Sequence, residues 1–420
     1  MNLERQGPEA RGQGPEKFID STGPRTPDPG PLKILMIAPT PYFSDRGCHV
    51  RIFEEAKALM ARGHQVRIVT YHLGRDLEPV PVDRILSLPW YRKREAGPSW
   101  HKPYLDLLLL CKALGVARRF KPDLIHAHLH EGTLIGWPVA RLRGIPLIFD
   151  YQGSLSGESL NHGFFKNGSL LHKLFSWLEG KINGLADLII TSSTPGLQEL
   201  AEQWKLPVDR AIAVPDGVDT TVFRHHSRVE ARQRLKLDNE VPVIVYLGLL
   251  NHYQGTDLLL QAAKLLIQRG RIFHLVIMGY PDQVYRNKAD QLNIGSFVTF
   301  TGRVDYAEAP FLLASGDLAV SPKISETEAN GKLLNYMACG LPVIAFDTEV
   351  NRELLGDDGI YARFGDASDL ASCMSNALFD HERLHQQGRR LRERSVELFS
   401  WDSRGQYLES IYQRLLVVEK

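Results

Sequence analysis

At 420 residues the chain exceeds what one hydrophobic core comfortably holds, so two domains are expected. A hydrophobic share of 43% with 24% charged residues is ordinary for a globular protein, and a net charge of +1 argues against a dedicated nucleic-acid binder, which would be markedly basic. Cys48, Cys111, Cys339 and Cys373 lie apart without CxxC or Cys/His spacing, which argues against structural zinc and a disulfide framework and points to a reducing cytosol.

Residues 1–31 are rich in Gly and Pro, carry mixed charge and lack a signal-peptide core; a disordered tail is expected there. No apolar run approaches the ~18 residues of a membrane span. Leu32–Ala38 is a continuous apolar run of the length of a buried parallel strand. A loop with Gly47 follows, then a helix whose apolar face carries Val50, Phe53, Leu59 and Met60 and which stops at Gly63. Strands are predicted at Val66–Thr70, Leu124–His126, Pro146–Phe149 and Leu188–Thr191, separated by helix-length segments. The pattern restarts at Val241–Leu247 with a glycine-flanked loop (Gly248 to Gly255) and an apolar-faced helix, followed by strands at Phe273–Met278, Phe297–Phe300, Leu318–Val320 and Pro342–Phe346. Alternating strands and helices imply parallel sheets covered on both faces. The expected division is 32–214 for the first domain, completed by 403–420, and 215–402 for the second.

Ligands of such sheets bind outside the carboxyl ends of the strands. The stretch after Leu318–Val320 is the most informative in this respect. A loop with Glu326 and Glu328 reaches Asn330-Gly331, which open a helix carrying Lys332 in its first turn. Unpaired N–H groups, the positive end of a helix and a lysine together suit an anion, with carboxylates beside it.

Over Leu32 to Leu416 the chain resembles the GT-B glycosyltransferases of the retaining, family 4 (group 1) type. The resemblance rests on Ala38-Pro-Thr-Pro with Gly47, Gly63-His-Gln-Val, Pro122-Asp-Leu-Ile-His-Ala-His128, Gly144-Ile-Pro-Leu-Ile-Phe149, Val214-Pro-Asp-Gly-Val-Asp219, Met337-Ala-Cys-Gly-Leu-Pro-Val-Ile344 and Phe399-Ser-Trp-Asp402, in that order. It implies two Rossmann-like domains facing across a cleft, with a terminal helix crossing back to the first. It also implies metal-independent transfer of a sugar from a nucleotide-diphosphate donor on the second domain to an acceptor on the first, with no cofactor beyond that substrate.

Two departures accompany the resemblance. Arg and Lys usually follow the first strand of the second domain, where they clasp the diphosphate; Leu249 and Gln254 stand here. Of two glutamates eight residues apart, the second position holds Asn335 and the first Thr327. A Thr-x-x-x-x-Lys version fits better, with Lys332 and its helix start as the phosphate site. Gly47 and Gly248 are expected to let backbone approach the donor, together with Asn330 and Gly331; Glu326 and Glu328 to take donor-sugar hydroxyls; and Asn335 a ribose hydroxyl. Asp150 orients the acceptor hydroxyl or accepts its proton, or else fixes the turn into Gly153. Arg46, His128 and Gln152 are acceptor-side candidates. His126, His128, His130 and Glu131 cluster without a cysteine, and no metal is expected.

Between residues 90 and 121, Trp90, Arg92, Lys93, Arg94, Trp100 and Arg118 surround the apolar run Leu105–Leu110. This pattern reads either as a membrane-surface anchor, with a cytoplasmic protein peripheral on the inner membrane face, or as an ordinary helix with a basic rim. The expected partners are a nucleotide sugar and a glycan or lipid-linked acceptor, and no nucleic acid. A degenerate scaffold that binds a sugar nucleotide without transfer, and a nucleotide-sugar epimerase, remain as alternatives.

Overall fold

The computed structural model describes residues 30–43, 47–92, 101–157 and 166–418. Residues 31–420 form one compact unit containing two parallel sheets. The first sheet holds β1 (Lys33–Ala38), β2 (Gln65–Thr70), β3 (Val82–Arg84), β4 (Leu124–His128), β5 (Leu147–Tyr151), β6 (Leu188–Thr191) and β7 (Ala211–Ala213), in the order β3-β2-β1-β4-β5-β6-β7. The second holds β8 (Val243–Leu247), β9 (His274–Met278), β10 (Val298–Gly302), β11 (Leu318–Ser321), β12 (Val343–Phe346) and β13 (Ile360–Ala362), in the order β10-β9-β8-β11-β12-β13.

The continuous apolar runs are explained by which way alternate side chains point. In β1, Leu35 and Ile37 enter one core layer while Ile34, Met36 and Ala38 enter the layer on the opposite face. In β8, Val243 and Val245 go one way, Ile244 and Tyr246 the other. A strand with helices on both faces has no polar side to show. The predicted strands are all present, with ends moved by one or two residues. β3, β7 and β13 were not foreseen: each has three residues and lies at a sheet edge, too short to show a period.

Strand order reverses between β1 and β4 in the first sheet and between β8 and β11 in the second. Such switch points open crevices at the carboxyl strand ends. The chain passes between the sheets twice, side by side: Val218 and Ser400 form a parallel bridge, and a Cβ on Gly217 would lie only 2.6 Å from the Trp401 ring. Beyond that crossing, helix Trp401–Val418 lies on helix Gly47–Ala61 of the first sheet, where Tyr412 Oη and His126 Nδ1 share a 2.7 Å hydrogen bond and Arg62 pairs with Glu409 at 2.6 Å. No described helix is long and apolar enough to cross a membrane.

Candidate active site

A cavity of about 460 Å³ lies where the two switch points face each other. Gly47, Arg51 and Gln152 line it from the first sheet, Asp216 from the link, and Gly248, Lys323, Glu328, Lys332 and Asn335 from the second. A polar cavity of about 230 Å³ continues from it, sharing Gln152 and Glu328 and adding Ser154, Ser193, Glu199 and Tyr253.

On the second sheet the loops after β8 and β9 come into backbone contact. A Cβ on Gly279 would stand 1.9 Å from the Gly248 carbonyl oxygen, so only glycine fits there. Gly248 has φ +149°, and a Cβ on it would meet Lys332 Nζ at 2.9 Å. The glycine after β8 therefore makes room for the lysine that opens helix Lys332–Ala338. Lys332 Nζ lies 4.5 Å from the Tyr246 ring centroid and donates to Tyr246 Oη (3.1 Å) and Gln254 Oε1 (2.6 Å). Among the described residues no carboxylate pairs with it. Burial, and then the neighbouring Lys323, push its pKa well below that of a free lysine. Lys323 follows β11, donates to the Ala329 carbonyl at 2.7 Å and sits 3.4 Å from Glu328; burial lowers its pKa, and Glu328 opposes that shift. Two lysines that repel each other in a low-dielectric recess form a site that favours an anion.

The first-sheet side is organised by Arg51, which lies four residues beyond Gly47 on the same helix. It reaches Asp150 at 3.1 Å, Glu55 at 3.0 Å and Asp216 at 2.6 Å, and donates to the Val214 carbonyl at 3.1 Å. Burial alone would lower its pKa, but these carboxylates reverse the effect and raise it. Asp150 is fully buried, and burial acts to raise its pKa; Arg51 and the hydrogen bond from His128 outweigh this and hold it far below the carboxylate range. Glu55 is pushed well upward by burial, which Arg51 only partly offsets. Burial, then His128, drives His126 downward, so its ring is neutral, stacked on His128 with centroids 4.5 Å apart. Donor atoms of Glu55, His126, His128 and Asp150 all lie within 4.8 Å of one another, a metal-like grouping. The Arg51 guanidinium occupies the carboxylate oxygens that a metal would need, so this donor set does not suit a cation.

The structure gathers Gly47, Gly248, Glu328, Asn330, Gly331, Lys332, Asn335 and Gln152 around the cavity. Three expectations change. Asp150 does not line the cavity; tied to Arg51, His128 and Gln152 Nε2 (2.6 Å), it is a poor base and positions Gln152 instead. His128 is equally enclosed, with Nδ1 on Asp150, and lines no part of the cavity. Glu326 faces solvent, outside both cavities, because the loop turns Glu328 inward and leaves its neighbour but one outside. The Asn330 side chain accepts from Ser321 Oγ (3.1 Å) and donates to Asn351 (3.0 Å), which fixes the loop. Arg46 lies outside the described residues. Arg51, Asp216 and Lys323 were missed; a charged residue on the apolar face of a helix and a lysine just past a central strand were the available signals.

Two family models match the chain: "Glycosyl transferase 4-like domain" over residues 46–217 and "Glycosyl transferases group 1" over residues 241–380. The D-inositol 3-phosphate glycosyltransferase of Thermobispora bispora is 25% identical over 394 residues, 88% of this chain and 90% of that protein. The sulfoquinovosyl transferase SQD2 of Arabidopsis thaliana is 25% identical over 382 residues, 87% of this chain and 70% of that protein. Among solved structures, sucrose-phosphate synthase from Thermosynechococcus elongatus superposes with a TM-score of 0.76 at 19% identity, covering 92% of this chain and all of that one. Anabaena HepE in complex with UDP and glucose gives 0.74 at 17% identity, covering 91% of this chain and all of that one.

Proposed function

We propose that this chain, which belongs to the group 1 glycosyltransferases and has the GT-B fold, moves a hexosyl group from a nucleotide-diphosphate sugar to a glycan, lipid-linked sugar or lipid, with retained configuration and without a metal. The observation that carries this reading is the lysine pair, Lys323 and Lys332, in the recess beside the glycine loops at the ends of β8 and β9. In this reading the pair holds the diphosphate and stabilises it as it leaves. Asn335, one turn along the helix from Lys332, takes a ribose hydroxyl, and Glu328 takes hydroxyls of the transferred sugar. Gln152, at the junction of the two cavities, meets the acceptor.

The strand-end carboxylate bonded to Gln152, Asp150, is not available as a base, which supports a reaction on one face of the sugar. Asp150 is fixed as the anion of an Arg51 pair. The acceptor hydroxyl then gives its proton to the departing phosphate oxygen as its own bond to the anomeric carbon forms and the carbon–phosphate oxygen bond breaks. Positioning and charge stabilisation supply the rate, with no covalent intermediate.

A thermal-shift panel of nucleotides and nucleotide sugars, followed by transfer of labelled sugar, tests the proposal. A ligand at 100 times its dissociation constant stabilises by about 2.7 kcal/mol, enough to read. Leu249 and Gln254, standing where clasping cations are usual, favour a second reading as a binding scaffold. Stabilisation by a nucleotide sugar with no transfer to any acceptor would select it. An epimerised nucleotide sugar recovered without acceptor would select an epimerase.

A further inference from the structure

Helices Lys102–Phe120, Leu129–Arg143 and Leu170–Asn183 lie side by side in one layer on the first sheet. The third is amphipathic in an unusual sense, because its apolar stripe faces outward. Leu170, Leu171, Leu174, Trp177 and Leu178 recur at i, i+1, i+4, i+7 and i+8, with Leu170 86% exposed, Leu174 49% and Trp177 57%. The neighbouring helix adds exposed Leu134, Trp137 and Leu142, and the far one Leu107. Isolated exposed leucines need no explanation, but a helical stripe of four leucines and a tryptophan does.

The charges on this layer have one sign. Lys173, Lys181, Arg141, Arg143, Arg118 and Arg119 are exposed, and Lys166 stands exposed just before the third helix. The acidic residues of the three helices are turned inward or paired: Asp106 with Tyr71, Glu131 with Lys102, and Glu179 fully buried. Lys181 Nζ lies 5.8 Å from the Trp177 ring centroid, which leaves its charge at the rim of the apolar stripe. The chain as a whole is nearly neutral, so this basic apolar face is a local feature.

We propose that this layer, centred on helix Leu170–Asn183, docks on the surface of an anionic lipid bilayer, with the leucines and Trp177 in the acyl boundary and the lysines on the headgroups. Of the stretch expected from sequence, residues 90–121, residues 93–100 lie outside the described residues, and helix Lys102–Phe120 supplies an edge of the face. The inward side of the same helix is tied to the acceptor-side cavity. Glu179 accepts from Ser156 Oγ (2.7 Å), Ser156 N (3.0 Å) and Ser154 Oγ (3.1 Å), and Ser154 lines the second cavity beside Gln152. Docking thus holds the acceptor-side wall against the membrane.

The test is co-sedimentation of the full chain with vesicles of equal parts phosphatidylcholine and phosphatidylglycerol, and with phosphatidylcholine alone, with tryptophan emission recorded. The expected result is salt-sensitive binding to the anionic vesicles only, a blue shift on binding, and a loss of about tenfold or more in Leu174→Glu/Trp177→Glu. Ile272→Glu, an exposed apolar position on the second domain, should bind unchanged. If the double variant fails to fold, Lys173→Glu/Lys181→Glu should show the same loss. Equal binding of wild type and either double variant, no binding to anionic vesicles, or equal binding to uncharged ones overturns the proposal. A dimer in sedimentation velocity that Leu174→Glu/Trp177→Glu abolishes would assign the face to a second copy and also overturn it. None of these outcomes depends on sugar transfer.

Discussion

Gln254 accepts a hydrogen bond from Lys332 at 2.6 Å, so the residue standing where a clasping lysine is usual serves here as the holder of another lysine. Lys332 stands on the helix after β11, where Tyr246 and Gln254 orient its amine and no described carboxylate pairs with it. A carboxylate partner would have weakened the site for an anion.

The first prediction concerns that lysine. Lys332→Met should lower kcat/KM for transfer by about 100-fold, the usual effect of removing one charge-stabilising donor. The thermal midpoint should not fall, because burial already disfavours the ammonium. A fall in midpoint together with activity would mark Lys332 as structural.

The second follows from the depressed pKa of Lys332. With no anion present, burial and Lys323 favour its neutral form; a diphosphate favours the ammonium. Binding therefore takes up a proton, and affinity declines as pH rises above the free-site value toward that of the complex. Calorimetry of nucleoside diphosphate binding in buffers of differing ionisation enthalpy should show that uptake, and it should vanish in Lys332→Met. Binding without proton exchange in the wild type would contradict the assignment.

The third concerns Gly248. An alanine there must accept a positive φ and place its Cβ 2.9 Å from Lys332 Nζ. Backbone strain of about 1–2 kcal/mol is expected from the first effect, with displacement of the lysine from the second. Gly248→Ala should therefore lose both stability in denaturant melts and donor affinity. Gly63→Ala, also at positive φ (+93°) but with nothing near the added Cβ, should lose stability alone.

The sequence showed most clearly the parts that follow from local chemistry. Leu32–Ala38 and Val241–Leu247 read as buried strands because both faces of the strands there are covered. Gly248 and Lys332 read as parts of an anion site because strand ends and helix starts carry that chemistry wherever they occur. Asp150 was open to reading as an orienter or base for the acceptor hydroxyl, or as the holder of a turn, because its partner, Arg51, lies 99 residues away and leaves no mark in the neighbouring sequence. Glu326 and Glu328 could not be told apart, because an irregular loop has no period to say which side chain turns inward.

The Arg51 cluster gives the fourth prediction. Arg51→Met leaves Asp150 buried without its guanidinium partner, held only by His128 and Gln152, a change that costs about 3–5 kcal/mol when a buried pair is broken. Adding Asp150→Asn removes the stranded charge, so the double variant should be more stable than Arg51→Met alone in urea melts. Additive losses would mean that the two residues do not act as a pair.

The last prediction comes from Glu54, which lies at the link between the sheets beside Lys57; Lys57 in turn binds Asp219 at 2.6 Å. Burial raises the Glu54 pKa to about 7, and Lys57 only partly offsets the shift. The folded protein therefore keeps a proton on Glu54 that the unfolded chain releases above its ordinary value of 4.5. Stability from this group is fully present below the unfolded value and is lost as pH rises toward 7. Glu54→Gln keeps the neutral form at every pH. It should leave the midpoint unchanged near pH 4.5 and raise stability by about 1–3 kcal/mol at pH 8. Asp219, held at about 2 by Lys57 and Thr221 against the upward pull of burial, is ionised throughout that window and adds no slope of its own. A Glu54→Gln variant whose stability tracked the wild type across the window would show that Glu54 is already ionised in the folded protein.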